Sequence, residues 1–347
     1  MRLPLKSPLV AAWLFAVAFL VVAMILVGGA TRLTDSGLSI TEWKPVTGAI
    51  PPLGDAAWQQ EFEKYQKIPE YSQINAHMDL EDFKGIYWWE WIHRFLGRLI
   101  GVVFFVPFVI LLLRSEVPGR LIWRCAGLLG LGALQGGIGW WMVSSGLDKR
   151  VDVAPERLMI HLGMALVILV LTLWTACEAL AGQGRGRGAP QGWRVATSMV
   201  FGVIILQCLL GALVAGNDAG TVYNDWPLMN GHIAPYVDWS KGIGFVFFHD
   251  QGMVQFMHRI VAYVALIGIT AYAIIVAQKC MDDEIRLIST SVATLVWVQG
   301  ILGVATLVSG AQIGFGLMHQ FVAVCLIILA TLLMWKVARA DRDFRLR

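Results

Sequence analysis

The sequence predicts an all-α integral membrane protein with eight transmembrane helices arranged as two pseudo-symmetric parallel four-helix bundles. Three observations carry that expectation: a composition too apolar for a soluble globule, eight windows long enough to cross a bilayer, and an internal repeat. Of 347 residues, 57% are hydrophobic and only 15% charged, and the mean hydropathy is +0.65. A soluble chain of this length needs more polar surface than that.

Windows of about 20 apolar residues, the length that crosses ~30 Å of hydrocarbon, fall at 10–28, 91–113, 121–143, 158–180, 195–215, 256–277, 287–308 and 316–337. The runs are too long and too unalternating for barrel strands, so each reads as a helix that satisfies its own backbone hydrogen bonds. The first begins after about nine residues and is followed by Gly28-Gly29-Ala30 and a polar loop rather than a cleavage site. It reads as a retained anchor. No Arg- and Ser-rich transit peptide precedes it, which points to a bacterial inner membrane rather than a mitochondrial one.

Lys and Arg in the connections orient the spans. Arg2 and Lys6 precede the first helix, Arg114, Arg120 and Arg124 flank the second connection, and Arg185, Arg187 and Arg194 the fourth. Lys336, Arg339, Arg342, Arg345 and Arg347 follow or end the eighth. Both termini are therefore expected in the cytoplasm, with residues 29–88 and 216–253 outside. The connection at 278–286 is the weak one, because Lys279 and Arg286 compete with Asp282, Asp283 and Glu284. The five cysteines, at 125, 177, 208, 280 and 325, lie in or at the ends of helices and imply no disulfide framework.

The chain repeats itself. Gly28, Asp35, Gly37, Trp43, Gly48 and Pro52 recur as Gly211, Asp218, Gly220, Trp226, Gly231 and Pro235, each 183 positions later. Residues 89–94, ending in His93-Arg94, parallel residues 254–259, ending in His258-Arg259, at offset 165, and Gln135-Gly136 parallels Gln299-Gly300 at 164. The drop in offset places 18 additional residues in the first outward loop. The expected division is 1–180 for the first half, a Gly-Arg-rich cytoplasmic linker at 181–194, and 195–347 for the second. Each half has an even number of spans, so the repeat is parallel and equivalent residues share one membrane depth.

His93, His161, His258 and His319 fall near the outer ends of the second, fourth, sixth and eighth spans. Two imidazoles from facing helices suit a haem iron, which takes axial ligands on opposite sides of its plane. A single intramembrane histidine is as readily explained by a hydrogen bond to a neighbouring helix, but a duplicated pair favours ligation. Zinc fits less well, since two histidines per half leave a tetrahedral site half empty. Two haem b groups per chain would also describe a quinol-linked diheme b-type cytochrome, so electron transfer alone stands as the alternative.

Glu90 breaks the symmetry. It precedes His93 by three residues, on the same helical face, whereas the second half has Gln255 there. A carboxylate beside one of two equivalent sites marks that site for chemistry; an ion pair with Arg94 at i+4 is the bland reading. Arg94 and Arg259 directly follow the histidines, where a haem propionate could lie, and snorkelling to the interface explains them equally. Trp88, Trp89 and Trp91 read as an interfacial belt, and the glycines near Gln135 and Gln299 as close helix packing. Gly37 and Gly220 are expected at positive φ. No role is assigned to His77, His232 or His249.

Together these residues resemble the haem A synthase family, in its proteobacterial and mitochondrial form. The resemblance rests on residues 28–39 (GGATRLTDSGLS), 90–94 (EWIHR), 217–220 (NDAG), 224–231 (NDWPLMNG) and 255–259 (QFMHR), and covers nearly the whole chain. It implies that His258 and His319 hold a haem b cofactor, that His93 and His161 hold the substrate haem O, and that Glu90 takes part in catalysis. The implied reaction oxidises the C8 methyl of haem O to a formyl group by successive water-derived hydroxylations, giving haem A. Some bacterial members carry a cysteine pair in the first outward loop; this chain has none there, so no mechanism through such a pair operates here. Implied partners are haem O synthase and the cytochrome c oxidase assembly machinery in the lipid bilayer, with self-association left open and no nucleic acid expected.

Overall fold

The structure, a computed structural model, describes residues 6–182 and 188–340. Its helices are α1 (Pro8–Leu33), α2 (Asp55–Tyr65), α3 (Pro69–Gln73), α4 (Leu80–Leu113), α5 (Gly119–Val143), α6 (Pro155–Ala181), α7 (Gln191–Gly216), α8 (Ile243–His249), α9 (Gln251–Lys279), α10 (Asp283–Val308) and α11 (Ile313–Arg339). Eight of these are long and apolar enough to cross a membrane, and each contains one of the eight expected windows. Among the described residues the only β-type pairing is an isolated bridge between Met229 and His232.

Within the first four-helix group α1 packs on α4 and α6, and α5 packs on the same two. The second group repeats this, with α7 and α10 each packing on α9 and α11. The histidine-bearing helices α4 and α6, and likewise α9 and α11, therefore stand diagonally across their groups. The groups meet where α6 packs on α7 and where α11 packs on α1 and α6.

Local chemistry explains the helix limits. Aspartates 79, 250 and 282 accept hydrogen bonds from first-turn amides of α4, α9 and α10, supplying acceptors the helix itself cannot. The Asp79 cap starts α4 about three turns before the apolar window at 91. That extension is covered by the 18 additional residues: Phe62 and Tyr65 of α2 pack on Phe83, and Trp58 on Tyr87. Inside α4, Pro107 has no N–H for the Val103 carbonyl, and the Trp13 indole of α1 donates to it instead at 2.9 Å. In a membrane that substitution matters, because no water replaces a missing partner.

At the end of the spans where the termini are expected, Glu178 pairs with Arg120 and Arg124, and Lys336 pairs with Glu284. The latter pair accounts for one of the acids in the weak connection at 278–286. Arg2, Arg185, Arg187, Arg342, Arg345 and Arg347, and the core of the expected linker, lie outside the described residues. All five cysteines are free.

Candidate functional site

Four glycines place the four histidines. A Cβ on Gly28 would stand 2.8 Å from His93 Cε1, one on Gly139 2.9 Å from His161 Cε1, one on Gly211 3.3 Å from His258 Cε1, and one on Gly303 3.0 Å from His319 Cε1. Each imidazole thus lies against the backbone of a neighbouring helix that only glycine leaves open. The expectation of plain helix packing missed this for Gly139 and Gly303, four residues beyond Gln135 and Gln299.

In the second half the His258 and His319 ring centroids are 6.4 Å apart with planes at 71°, an edge-on arrangement. Imidazole–metal bonds of about 2 Å on both sides place two ring centres about 6 Å apart, so the pair fits bis-imidazole ligation of one iron. In the first half His93 and His161 occupy the corresponding helices α4 and α6. Buried imidazole nitrogens without a hydrogen-bond partner, Nδ1 of His93 and of His319, fit the same use. Among the described residues no group of three or more His, Cys, Asp or Glu side chains gathers; the arrangement is one of pairs.

Three histidines carry a glutamine from the adjacent helix. The Gln207 amide nitrogen is 3.1 Å from His258 Nδ1 and donates to the His258 carbonyl at 3.0 Å. Gln135 does the same at His161, with 3.2 and 3.0 Å, and Gln299 lies 3.1 Å from His319 Nε2. His93 has no such glutamine, because Met24 stands at the position 183 residues before Gln207. This second break in symmetry was readable from the repeat offset but passed unnoticed.

Glu90 is 3% exposed. Its Oε2 accepts from the Ser39 hydroxyl and the Ile40 amide, each at 2.7 Å, and its Oε1 accepts from Arg94 Nε and Nη2 at 3.0 and 2.6 Å. Arg94 also donates to the Ile40 and Glu42 carbonyls. The ion pair expected at i+4 is present, but as one side of a four-donor cradle. Gln255 has the opposite polarity: its amide donates to the carbonyls of Ala219 and Val222 and its oxygen accepts from Arg259. Arg259 donates to the carbonyls of Tyr223 and Asp225, the repeat equivalents of Ile40 and Glu42. Both arginines therefore hold their outward loop onto the histidine helix, and Arg259 Nε remains buried without a partner.

Gly37 and Gly220 do not have positive φ; the residues two before them, Asp35 (φ 47°) and Asp218 (φ 50°), do, which corrects the expectation for the two glycines. Aspartate tolerates that region better than most side chains, and here both are held by Arg32. Gly220 instead lies close to Ala311, where a Cβ would approach within 3.3 Å. Glu70 of α3, within the first outward segment, is buried with Oε2 unpartnered; burial, reinforced by the charges of Asp152, Glu90 and Asp35, pushes its carboxyl up to about 8. Of the loop histidines, His232 pairs only through its backbone with Met229, and His249 Nε2 lies 3.8 Å from Glu156.

Fold and site define an all-α polytopic membrane protein with two repeat-related histidine pairs, one of them beside a cradled carboxylate. Residues 11–331 match the COX15-CtaA family model, described as cytochrome oxidase assembly protein, and the chain belongs to that family. It is 52% identical over 337 residues to a protein of Caulobacter sp. (strain K31) named heme A synthase, covering 96% of this chain and 97% of that one. Proteins of the same name from Caulobacter vibrioides and Maricaulis maris are 50% and 46% identical, each over 96% of this chain and 97% and 98% of theirs. These names do not support the diheme cytochrome alternative.

Proposed function

We propose that the chain is a haem A synthase, an oxidoreductase that converts the C8 methyl of haem O into a formyl group. Each of two hydroxylations takes its oxygen from water and releases two electrons and two protons; loss of water from the resulting diol leaves the aldehyde. The observation that carries this reading is the carboxylate asymmetry: Glu90 lies three residues before His93, whereas Gln255 holds that place before His258.

In this reading His93 and His161 bind the iron of haem O and fix the macrocycle across α4 and α6. Glu90, held in register by Ser39, Ile40 and Arg94, receives a proton or stabilises positive charge developing at the oxidised carbon, help typically worth on the order of 10² to 10⁴ in rate. His258 and His319 hold haem b, which when bound supplies one-electron transfer to an acceptor. Arg94 and Arg259 pin the loops; a propionate contact from Arg259 would use its unpartnered Nε, and one from Arg94 the Nη1 hydrogen left beside its bond to Glu42.

The division of labour follows the repeat, with the substrate in residues 1–180, a cytoplasmic linker at 181–194 and haem b in 195–347. The setting is a bacterial inner membrane with both termini cytoplasmic and the haem sites toward the periplasm. Haem O synthase upstream, oxidase assembly downstream and a homo-oligomer complete the proposed partners. Pigment extraction from the purified protein tests the reading: haem b together with haem O or haem A supports it, and haem b alone at two per chain overturns it.

A further inference from the structure

We propose that Arg32 and Asp218 form a positioning link by which the second half holds the Glu90 cradle of the first. The inference rests on reading Glu90 as the carboxylate that serves haem O oxidation. Arg32, near the end of α1, has a side chain only 13% exposed. Its Nη1 donates to Asp35 at 2.7 Å and lies 3.5 Å from Asp152; its Nη2 donates to Asp218 at 2.7 Å and its Nε to the Ala215 carbonyl at 3.2 Å.

Two of these partners are defined by the repeat. Asp218 is the equivalent of Asp35, and Ala215 is the equivalent of Arg32 itself. The guanidinium therefore sits on the seam where two copies of one turn meet. Ala215 carries no charge, so the first half alone supplies the cation at this seam. The half that supplies it is the half that carries Glu90.

The turn leads straight into the cradle. The Ser36 amide donates to the Thr31 carbonyl at 2.9 Å, and the Ser36 and Thr34 hydroxyls pair at 2.8 Å. Ser39 Oγ lies 3.1 Å from the Ser36 carbonyl and donates to Glu90, and the next amide, that of Ile40, does the same. Ser36 and Ser39 are completely buried. The Asp35 turn is thus joined to the carboxylate by a continuous run of hydrogen bonds. Asp218 from the other half is one of the two short ionic contacts that hold Arg32, and through it the turn.

Asp218→Asn isolates the link, because asparagine accepts the left-handed conformation and loses only the charge. The variant is produced with haem O synthase in the membrane, and haem A formation is followed with titrated haem O. The expected result is a kcat lower by on the order of tenfold to a hundredfold, the usual cost of a small misplacement. The KM for haem O and the haem b content should stay at wild-type values, since no histidine is touched. Hydrogen exchange at residues 36–42 should quicken in the variant, although the substitution lies in the other half. Wild-type kcat with unchanged exchange, or loss of haem b in step with activity, overturns the link. If Glu90→Gln proves fully active, the catalytic reading fails by itself, and exchange at 36–42 alone decides whether the link exists.

Discussion

Ser39 donates to Glu90 at 2.7 Å, on the same carboxylate oxygen that takes the Ile40 amide, while the other oxygen faces Arg94. Every neighbour of this carboxylate is a donor. A glutamine at position 90 has an NH2 on one side, and in either orientation that NH2 meets an obligate donor, the Ile40 amide or the guanidinium, while only the Ser39 hydroxyl can turn to accept. Glu90→Gln should therefore lower haem A formation by on the order of 10² to 10⁴, through lost charge and a loosened loop, while haem b is retained. Chromatography of extracted haems should show haem O or a hydroxylated intermediate accumulating. A wild-type yield of haem A would leave Glu90 as a loop clamp only.

His258→Ala or His319→Ala should deplete haem b while the protein remains in the membrane, because each removes one of two rings spaced 6.4 Å apart for a single iron. A reduced-minus-oxidised spectrum reads the result. Full low-spin haem b in both variants would refute the ligand assignment. Gln207→Leu should alter the midpoint potential or band position more than the haem content, since the glutamine touches the ring rather than the metal.

The glycines behind the rings give a test of half-specificity. Gly303→Ala would set a methyl 3.0 Å from His319, and Gly139→Ala one 2.9 Å from His161. The first should reduce haem b content. The second should raise the KM for haem O with haem b unchanged. Equal loss from both halves in either variant would indicate a general folding defect instead.

Glu70 predicts a pH dependence. Its carboxyl is raised to about 8 in the folded loop, against an ordinary value near 4 in the unfolded chain, so between these values the folded state binds the extra proton. Stability of the α2–α3 segment should therefore be greatest below the unfolded value and fall as pH rises toward and through 8. Protection from hydrogen exchange over residues 55–75, with the intrinsic base-catalysed rise in rate divided out, should fall from pH 6 to pH 8.5 in wild type. Glu70→Gln should flatten that dependence; an equally steep response would show that another group titrates.

Hydropathy and periodicity were enough for the eight spans, because a bilayer demands long uninterrupted apolar helices and leaves that demand written locally. The repeat offset of 165 likewise brought out the His93–His258 match and the Glu90–Gln255 asymmetry, since duplicated residues are compared by arithmetic alone. Other features depend on pairs far apart in sequence. That Gly28, Gly139, Gly211 and Gly303 back the four rings, that Gln207 reaches His258, and that Asp35 and Asp218 rather than the glycines take the left-handed turns were decided by how the helices pack. The sequence by itself determined that each half carries two intramembrane histidines and which half carries the acid. Only the tertiary structure decided what holds that acid, because four donors converge on Glu90 only when the first outward loop folds back onto α4, and one arginine meets two aspartates only when both halves close on the same seam.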